Sequence, residues 1–217
     1  MILVRLQEDG ERLQTSAQLP EALILPEAPT KGPEFTESLG LGFQHLLEGW
    51  DHLLFLLVLT IGVRHLKGLV LLVTAFTLGH AASLTLAGLG ILQFPPAVVE
   101  ALIALSIVVF ARSALLDRQA VTTPLVVIVG LVHGLGFAGM LDQLGLQRGD
   151  LLPKLLGFNL GLELAQLIVI TILLMLAWLL ARLGSAWLLR GQQVGAYGAG
   201  GLGLAWTLER SGAILGL

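Results

Sequence analysis

The chain has 217 residues, of which 55% are hydrophobic and 12% charged, and its net charge is −3. A soluble domain carries about a quarter charged residues, so the polar cover that a water-facing fold needs is missing. The small net charge argues against nucleic acid, and the lack of cysteine excludes a disulfide framework, a thiolate metal site and a cysteine nucleophile.

Residues 1–38 are polar, with three Lys/Arg against seven Asp/Glu. Loose alternation from Ile2 to Gln14 around Asp9-Gly10 predicts a small β-hairpin. Pro20, Pro26, Pro29 and Pro33 then make a linker. Met1 to Arg12 is not a signal peptide, because no apolar core follows its few basic residues. The expected organisation is a short polar extracytoplasmic segment over 1–38 and a transmembrane bundle over 39–217.

Six apolar segments follow, at roughly 39–63, 68–90, 97–116, 122–141, 152–181 and 192–208. They are of spanning length and do not alternate, so backbone groups in hydrocarbon must be satisfied by helices and not by a barrel. This predicts an all-α polytopic transmembrane helix bundle of about six spans, with seven as the next count. The fifth segment is long enough to tilt or to extend past the bilayer. The sixth is short and rich in glycine, from Gly191 to Gly203, which suits close packing. Arg64 and Lys67, Arg112 and Arg118, and Arg182 and Arg190 follow spans 1, 3 and 5. The positive-inside rule puts those connections in the cytoplasm and the N-terminus outside, in a bacterial-type inner membrane.

The spans carry many ionisable and polar groups. Span 1 holds His45, Glu48, Asp51 and His52, span 2 His80, span 3 Glu100, span 4 His133, and span 5 Asn159, Glu163 and Gln166. Such groups are costly at bilayer depth and face a cavity or a partner. At a rise of ~1.5 Å per residue the whole set falls between the midplane and the outer face. Scattered structural polar residues would not segregate in this way. His45 and His52 share a helix face with Glu48 between them, and Asn159, Glu163 and Gln166 share another. Imidazole and carboxylate without thiolate suit Ni2+, Co2+ or Zn2+, and a chain with three methionines is a poor Cu(I) site. On a continuous helix His45 and His52 stand ~10 Å apart along the axis. They are therefore expected to be successive stations and not ligands of one ion.

Plainer readings stand beside these. His133 fits an interhelical hydrogen bond, Glu100 a protonated acid bonded to a neighbouring helix, and Asn159 and Gln166 helix-packing contacts. Adjacent Asp51 and His52 in mid-span have fewer structural uses. Two functions fit the pattern: a secondary transporter of Ni2+ or Co2+, and an intramembrane metal-dependent hydrolase of the zinc type. The hydrolase would use Glu100 or Glu163 as general base, although no His-Glu-x-x-His arrangement is present. A metal sensor or accessory subunit that passes ions to a partner is a third, and a homo-oligomer is open in each case.

Five stretches resemble the HupE/UreJ family, which is associated with nickel and cobalt uptake. They are Phe43-Gln-His-Leu-Leu-Glu-Gly-Trp-Asp-His-Leu-Leu-Phe-Leu-Leu57, Ala75-Phe-Thr-Leu-Gly-His80, Val99-Glu-Ala-Leu-Ile-Ala-Leu-Ser-Ile107, His133-Gly-Leu-Gly-Phe-Ala138 and Phe158-Asn-Leu-Gly-Leu-Glu-Leu-Ala-Gln166. They cover spans 1 to 5 in order and are closest to the UreJ-like branch. The family's His-x5-Asp-His signature falls on His45, Asp51 and His52, and is similar to the His-x4-Asp-His of nickel–cobalt permeases. The resemblance implies metal contact by His45, Asp51, His52 and His80, then by Glu100 and His133. Glu48, Asn159, Glu163 and Gln166 would line or support the site. Two departures stand out. Ala81 replaces the serine that usually follows the span 2 histidine, and the next hydroxyl is Ser83. The segment before span 1 is short and has no export signal, as expected of a chain that begins inside a longer gene product.

Overall fold

The computed structural model describes residues 4–5, 14–15, 35–63, 65–116, 121–137 and 151–216. The chain divides into two units, Met1–Gly32 and Pro33–Leu217. In the first, strand β1 (Val4–Arg5) pairs antiparallel with β2 (Gln14–Thr15), in the register Val4↔Thr15 and Arg5↔Gln14. This pairing is the hairpin expected there. The turn residues lie outside the described residues.

The second unit is helical among its described residues. Its elements are α1 (Phe35–Glu48), α2 (Trp50–Gly62), α3 (Leu66–Gly88), α4 (Pro96–Leu116), α5 (Thr123–Phe137), α6 (Leu151–Leu183) and α7 (Ser185–Leu215). Each expected apolar segment is a helix, but the first is two. α1 and α2 meet at Gly49 and are bent by 73° relative to each other. Gly49 has φ −79° and ψ 97°, an extended conformation. Its N–H still bonds His45 O, at 3.0 Å, while its C=O accepts from Leu53 N, also at 3.0 Å. One residue therefore closes α1 and opens α2. A Cβ at Gly49 would lie 2.6 Å from His52 Nδ1, so the close folding of the two helices requires glycine there.

Three helices, α3, α4 and α6, are long and apolar enough to cross a membrane, and the bent α1–α2 pair makes a fourth candidate. The expected count of six is thus met in part. α5 has 15 residues, or ~22 Å, against a hydrocarbon core of ~30 Å. The expected fourth span runs on into residues 138–141, outside the described residues. α7 is long enough at 31 residues, but its glycines and polar positions keep it below the apolarity of a clear span. α6, with 33 residues, reaches roughly 50 Å, longer than the hydrocarbon core, which a helix accommodates by tilting or by extending past it.

The largest helix interfaces are α3 with α5, α1 with α6, and α4 with α7. The first two are glycine seams. On α1 and α6, Gly42 abuts the Phe158 backbone and Gly161 the Leu39 carbonyl. On α3 and α5, Gly79 abuts the Val127 carbonyl, Gly130 the Phe76 carbonyl and Gly134 the His80 carbonyl. Small residues let backbones approach where no hydrophobic drive brings helices together. Gly130 and Gly134, on either side of His133 in the sequence, thus let α5 pack closely on α3. Phe55, Phe76, Phe110, Leu56, Leu59 and Ile107 fill the centre. The later half of α6 and much of α7 turn leucine and tryptophan outward, as a lipid-facing surface does.

Candidate metal centre

The bend at Gly49 folds the end of α1 back over the start of α2, and so sets His45 beside His52. Their ring centroids are 4.9 Å apart, edge to face. The ~10 Å axial separation assumes a continuous helix. The break removes it, so the two imidazoles share one site and are not successive stations. His80 comes in from α3, 6.3 Å from both rings. His133 comes in from α5, 4.9 Å from His52. One ligand nitrogen from each of His45, His52 and His80 lies within 4.8 Å of the others. Ligands of a tetrahedral ion at ~2.0–2.1 Å are roughly 3.4 Å apart, so a small closure of the rings would enclose one.

Hydrogen bonding orients this set. Among the described residues, four buried ring nitrogens have no hydrogen-bond partner: Nε2 of His45, His52 and His80, and Nδ1 of His133. Buried polar atoms are nearly always bonded, so four in one place need a reason. On three of the rings the other nitrogen is engaged. His80 Nδ1 is 3.2 Å from Asn159 Oδ1, and Asn159 Nδ2 donates to Leu155 O at 2.8 Å. The second bond fixes the amide so that Oδ1 accepts. His80 then carries its proton on Nδ1 and offers the lone pair of Nε2 to the cluster. Asp51 does the same for His52, with Oδ1 3.2 Å from Nδ1 and 3.0 Å from the His52 backbone N–H. His133 Nε2 is 3.5 Å from Ser106 Oγ, whose own proton goes to Ile103 O at 2.7 Å. This is the arrangement by which an outer acceptor aims a metal-ligating imidazole.

Aromatic rings close the cluster on two sides. Phe137 lies 4.3 Å from His45 and stacks on Phe158 at 4.7 Å. On the other side, Phe76 is 5.1 Å from His133 and 5.1 Å from Phe55, which in turn meets Phe110 at 5.1 Å. The imidazoles therefore sit between two phenylalanine layers.

The remaining expected site residues stand elsewhere. Asp51 lies behind His52, on the far side of the ring from Nε2. Glu48 is exposed and accepts a hydrogen bond from Gln44 at 2.7 Å. Glu100 is also exposed, 3.7 Å from Arg210 Nε, while Arg210 Nη1 donates to the Glu100 carbonyl at 2.8 Å. Glu163 accepts from Thr74 at 2.6 Å and Gln166 from Thr77 at 2.9 Å, on the α3–α6 seam. Ser83 is spent on the backbone carbonyl of His80, at 3.1 Å. Ser106, Thr74 and Thr77 were not singled out in the sequence. Thr74, Thr77 and His80 recur every third residue along α3, which is the signal that marks them.

A family model described as HupE / UreJ protein matches residues 22–210, most of the chain. Comparison with curated proteins and with solved structures gives no match.

Proposed function

The chain belongs to the HupE/UreJ family, and from that premise we propose that it moves a divalent transition metal ion, Ni2+ or Co2+, across the inner membrane through the histidine cluster. One observation carries this reading: nitrogens of His45, His52 and His80 come within 4.8 Å of one another from α1, α2 and α3, and among the described residues these rings and His133, beside His52 on α5, each keep a buried nitrogen with no hydrogen-bond partner.

A hydrated ion arriving from the outer face exchanges its waters for neutral imidazoles. Ligand histidines must be unprotonated, so Asp51 and Asn159 serve by holding the proton on the far nitrogen of His52 and His80. The phenylalanine layers exclude water, so nothing competes with the nitrogens once the ion is seated. A broken helix at the site follows a pattern common in transporters, where discontinuous helices frame the binding position. In this reading α5 and α7 also cross, giving six spans with the N-terminus outside. Arg182 over the Trp178 ring and Arg190 over the Trp187 ring, where α6 ends and α7 begins, suit an interfacial belt, which this reading puts at the cytoplasmic face. A hydrolase is the weaker reading, because both carboxylates proposed as its base are engaged away from the histidines, Glu100 by Arg210 and Glu163 by Thr74.

The test is uptake of radiolabelled Ni2+ or Co2+ by cells making the wild type or His52→Ala at matched expression. Uptake by the wild type alone is expected. Equal uptake in both would remove the proposal.

A further inference from the structure

The polar groups do not stop at the histidines. Below His80 on α3 stand Thr77 and Thr74, one and two turns toward the end that carries Lys67. Opposite them on α6 stand Gln166 and Glu163. Thr77 donates to Gln166 Oε1 at 2.9 Å, and Thr74 to Glu163 Oε1 at 2.6 Å. Thr77 and Gln166 are buried, and Thr74 and Glu163 half-buried.

The Thr74 bond is unusual for this bundle. A threonine hydroxyl in an apolar helix normally turns back on its own backbone. Thr60, Thr85, Thr171 and Thr207 all do so, each donating to the carbonyl four residues earlier. Thr77 shares its hydroxyl between the Val73 carbonyl, at 3.2 Å, and Gln166, whereas Thr74 gives the backbone bond up for a carboxylate on another helix. A carboxylate in mid-helix is also costly to insert, and packing alone does not call for one.

We propose that Thr74, Thr77, Glu163 and Gln166 form a second metal station, made of oxygen donors only, that receives the ion from the imidazoles on its way to the Lys67 end of α3. This rests on the transport reading of the histidine cluster. The chemistry of the two donor sets suits a relay between them. Imidazole nitrogens hold Ni2+ and Co2+ more tightly than hydroxyl, amide and a single carboxylate oxygen do. A nitrogen site alone would capture the ion and keep it. A weaker oxygen site next in line lets it leave, as multi-site conduction requires. At ~1.5 Å per residue, Thr77 is ~4.5 Å and Thr74 ~9 Å along α3 from His80, a spacing that suits a step between adjacent sites.

The experiment uses the full chain in proteoliposomes, comparing the wild type with Glu163→Gln, Glu163→Asp and Thr77→Val. Equilibrium Co2+ binding at the histidines is followed by its visible spectrum, and transport by radiolabelled Ni2+ uptake. Glu163→Gln should bind Co2+ as the wild type does yet take up Ni2+ roughly tenfold more slowly or worse, the scale of one lost charged contact. Glu163→Asp should recover part of the rate, since it keeps the charge. A packing role gives the reverse order, because glutamine keeps the shape and the hydrogen bond and aspartate does not. Uptake by Glu163→Gln and Thr77→Val at the wild-type rate overturns the station and leaves the histidine reading intact. Wild-type protein that binds Co2+ but moves no Ni2+ removes the transport reading, and the station with it. If Glu163→Gln fails to assemble, Thr77→Val carries the same comparison.

Discussion

His45 and His52 are seven residues apart on what reads as a single span, yet their rings meet edge to face with centroids 4.9 Å apart. The chain turns by 73° between them, and Gly49 is the turning point. Sequence spacing that would separate two ligands on a straight helix brings them together on a broken one.

Gly49→Ala should therefore weaken metal binding without touching a ligand. The backbone at Gly49 is open to any residue, since φ is −79°. The obstacle is the added methyl, which would sit 2.6 Å from His52 Nδ1 and 3.1 Å from His45 O. His52 must swing away or the bend must open. A loss of ~10–100-fold in Co2+ affinity is expected, the scale for disturbing a ligand's support. Titration of purified protein reads it, and an unchanged affinity would show that the bend does not position the ring.

Asn159 acts on His80 as Asp51 acts on His52, so its removal should be felt at the site. Asn159→Leu leaves His80 Nδ1 without its 3.2 Å acceptor and frees the ring to rotate or to change tautomer. Affinity for Co2+ should fall ~10–100-fold while the helices stay assembled. Asn159→Asp, which still accepts at the same position, should lose much less. Equal losses in the two variants would mean that the hydrogen bond does not orient His80.

What could be read in the sequence follows from which physics is local. Apolar length and the absence of alternation announce helices directly, and the apolar segments are helical wherever they are described, the first as two helices. Histidines in hydrocarbon need a shared purpose, so His45, His52, His80 and His133 could be grouped before any coordinates. The break at Gly49 could not be read, because one glycine in an apolar run is equally compatible with an unbroken helix. Glu100 stood in the same slab as the histidines, but its partner Arg210 is 110 residues further on, and a pairing of that kind is set only by how α4 meets α7. Phe137 and Phe158 look like ordinary core residues until the fold stacks one on the other beside His45.

Gly134→Ala tests whether helix contact and site geometry are one property. A methyl at Gly134 would run into the His80 carbonyl and the Ser83 hydroxyl. The first of these is backbone and cannot step aside, so α5 must move off α3, taking His133 with it. Such overpacking costs typically ~1–3 kcal/mol. A lowered thermal midpoint in detergent and a weakened Co2+ site are expected together. A stability loss with wild-type Co2+ binding would separate the two.

Glu100 supplies the contrast, a carboxylate whose loss should leave the metal alone. Its side chain is 50% exposed and lies 3.7 Å from Arg210 Nε, tying α4 to α7. A pair this exposed contributes about 0–1 kcal/mol. Arg210 also donates to the Glu100 backbone carbonyl, a bond that survives when the side chain is changed. Glu100→Gln should thus shift thermal stability only slightly and leave Co2+ affinity within about twofold, since no imidazole depends on it. Combined with Arg210→Ala, it should add almost nothing to the loss seen for Arg210→Ala alone, because each variant already breaks the same ion pair. A tenfold fall in Co2+ affinity for Glu100→Gln would instead place that carboxylate among the ligands.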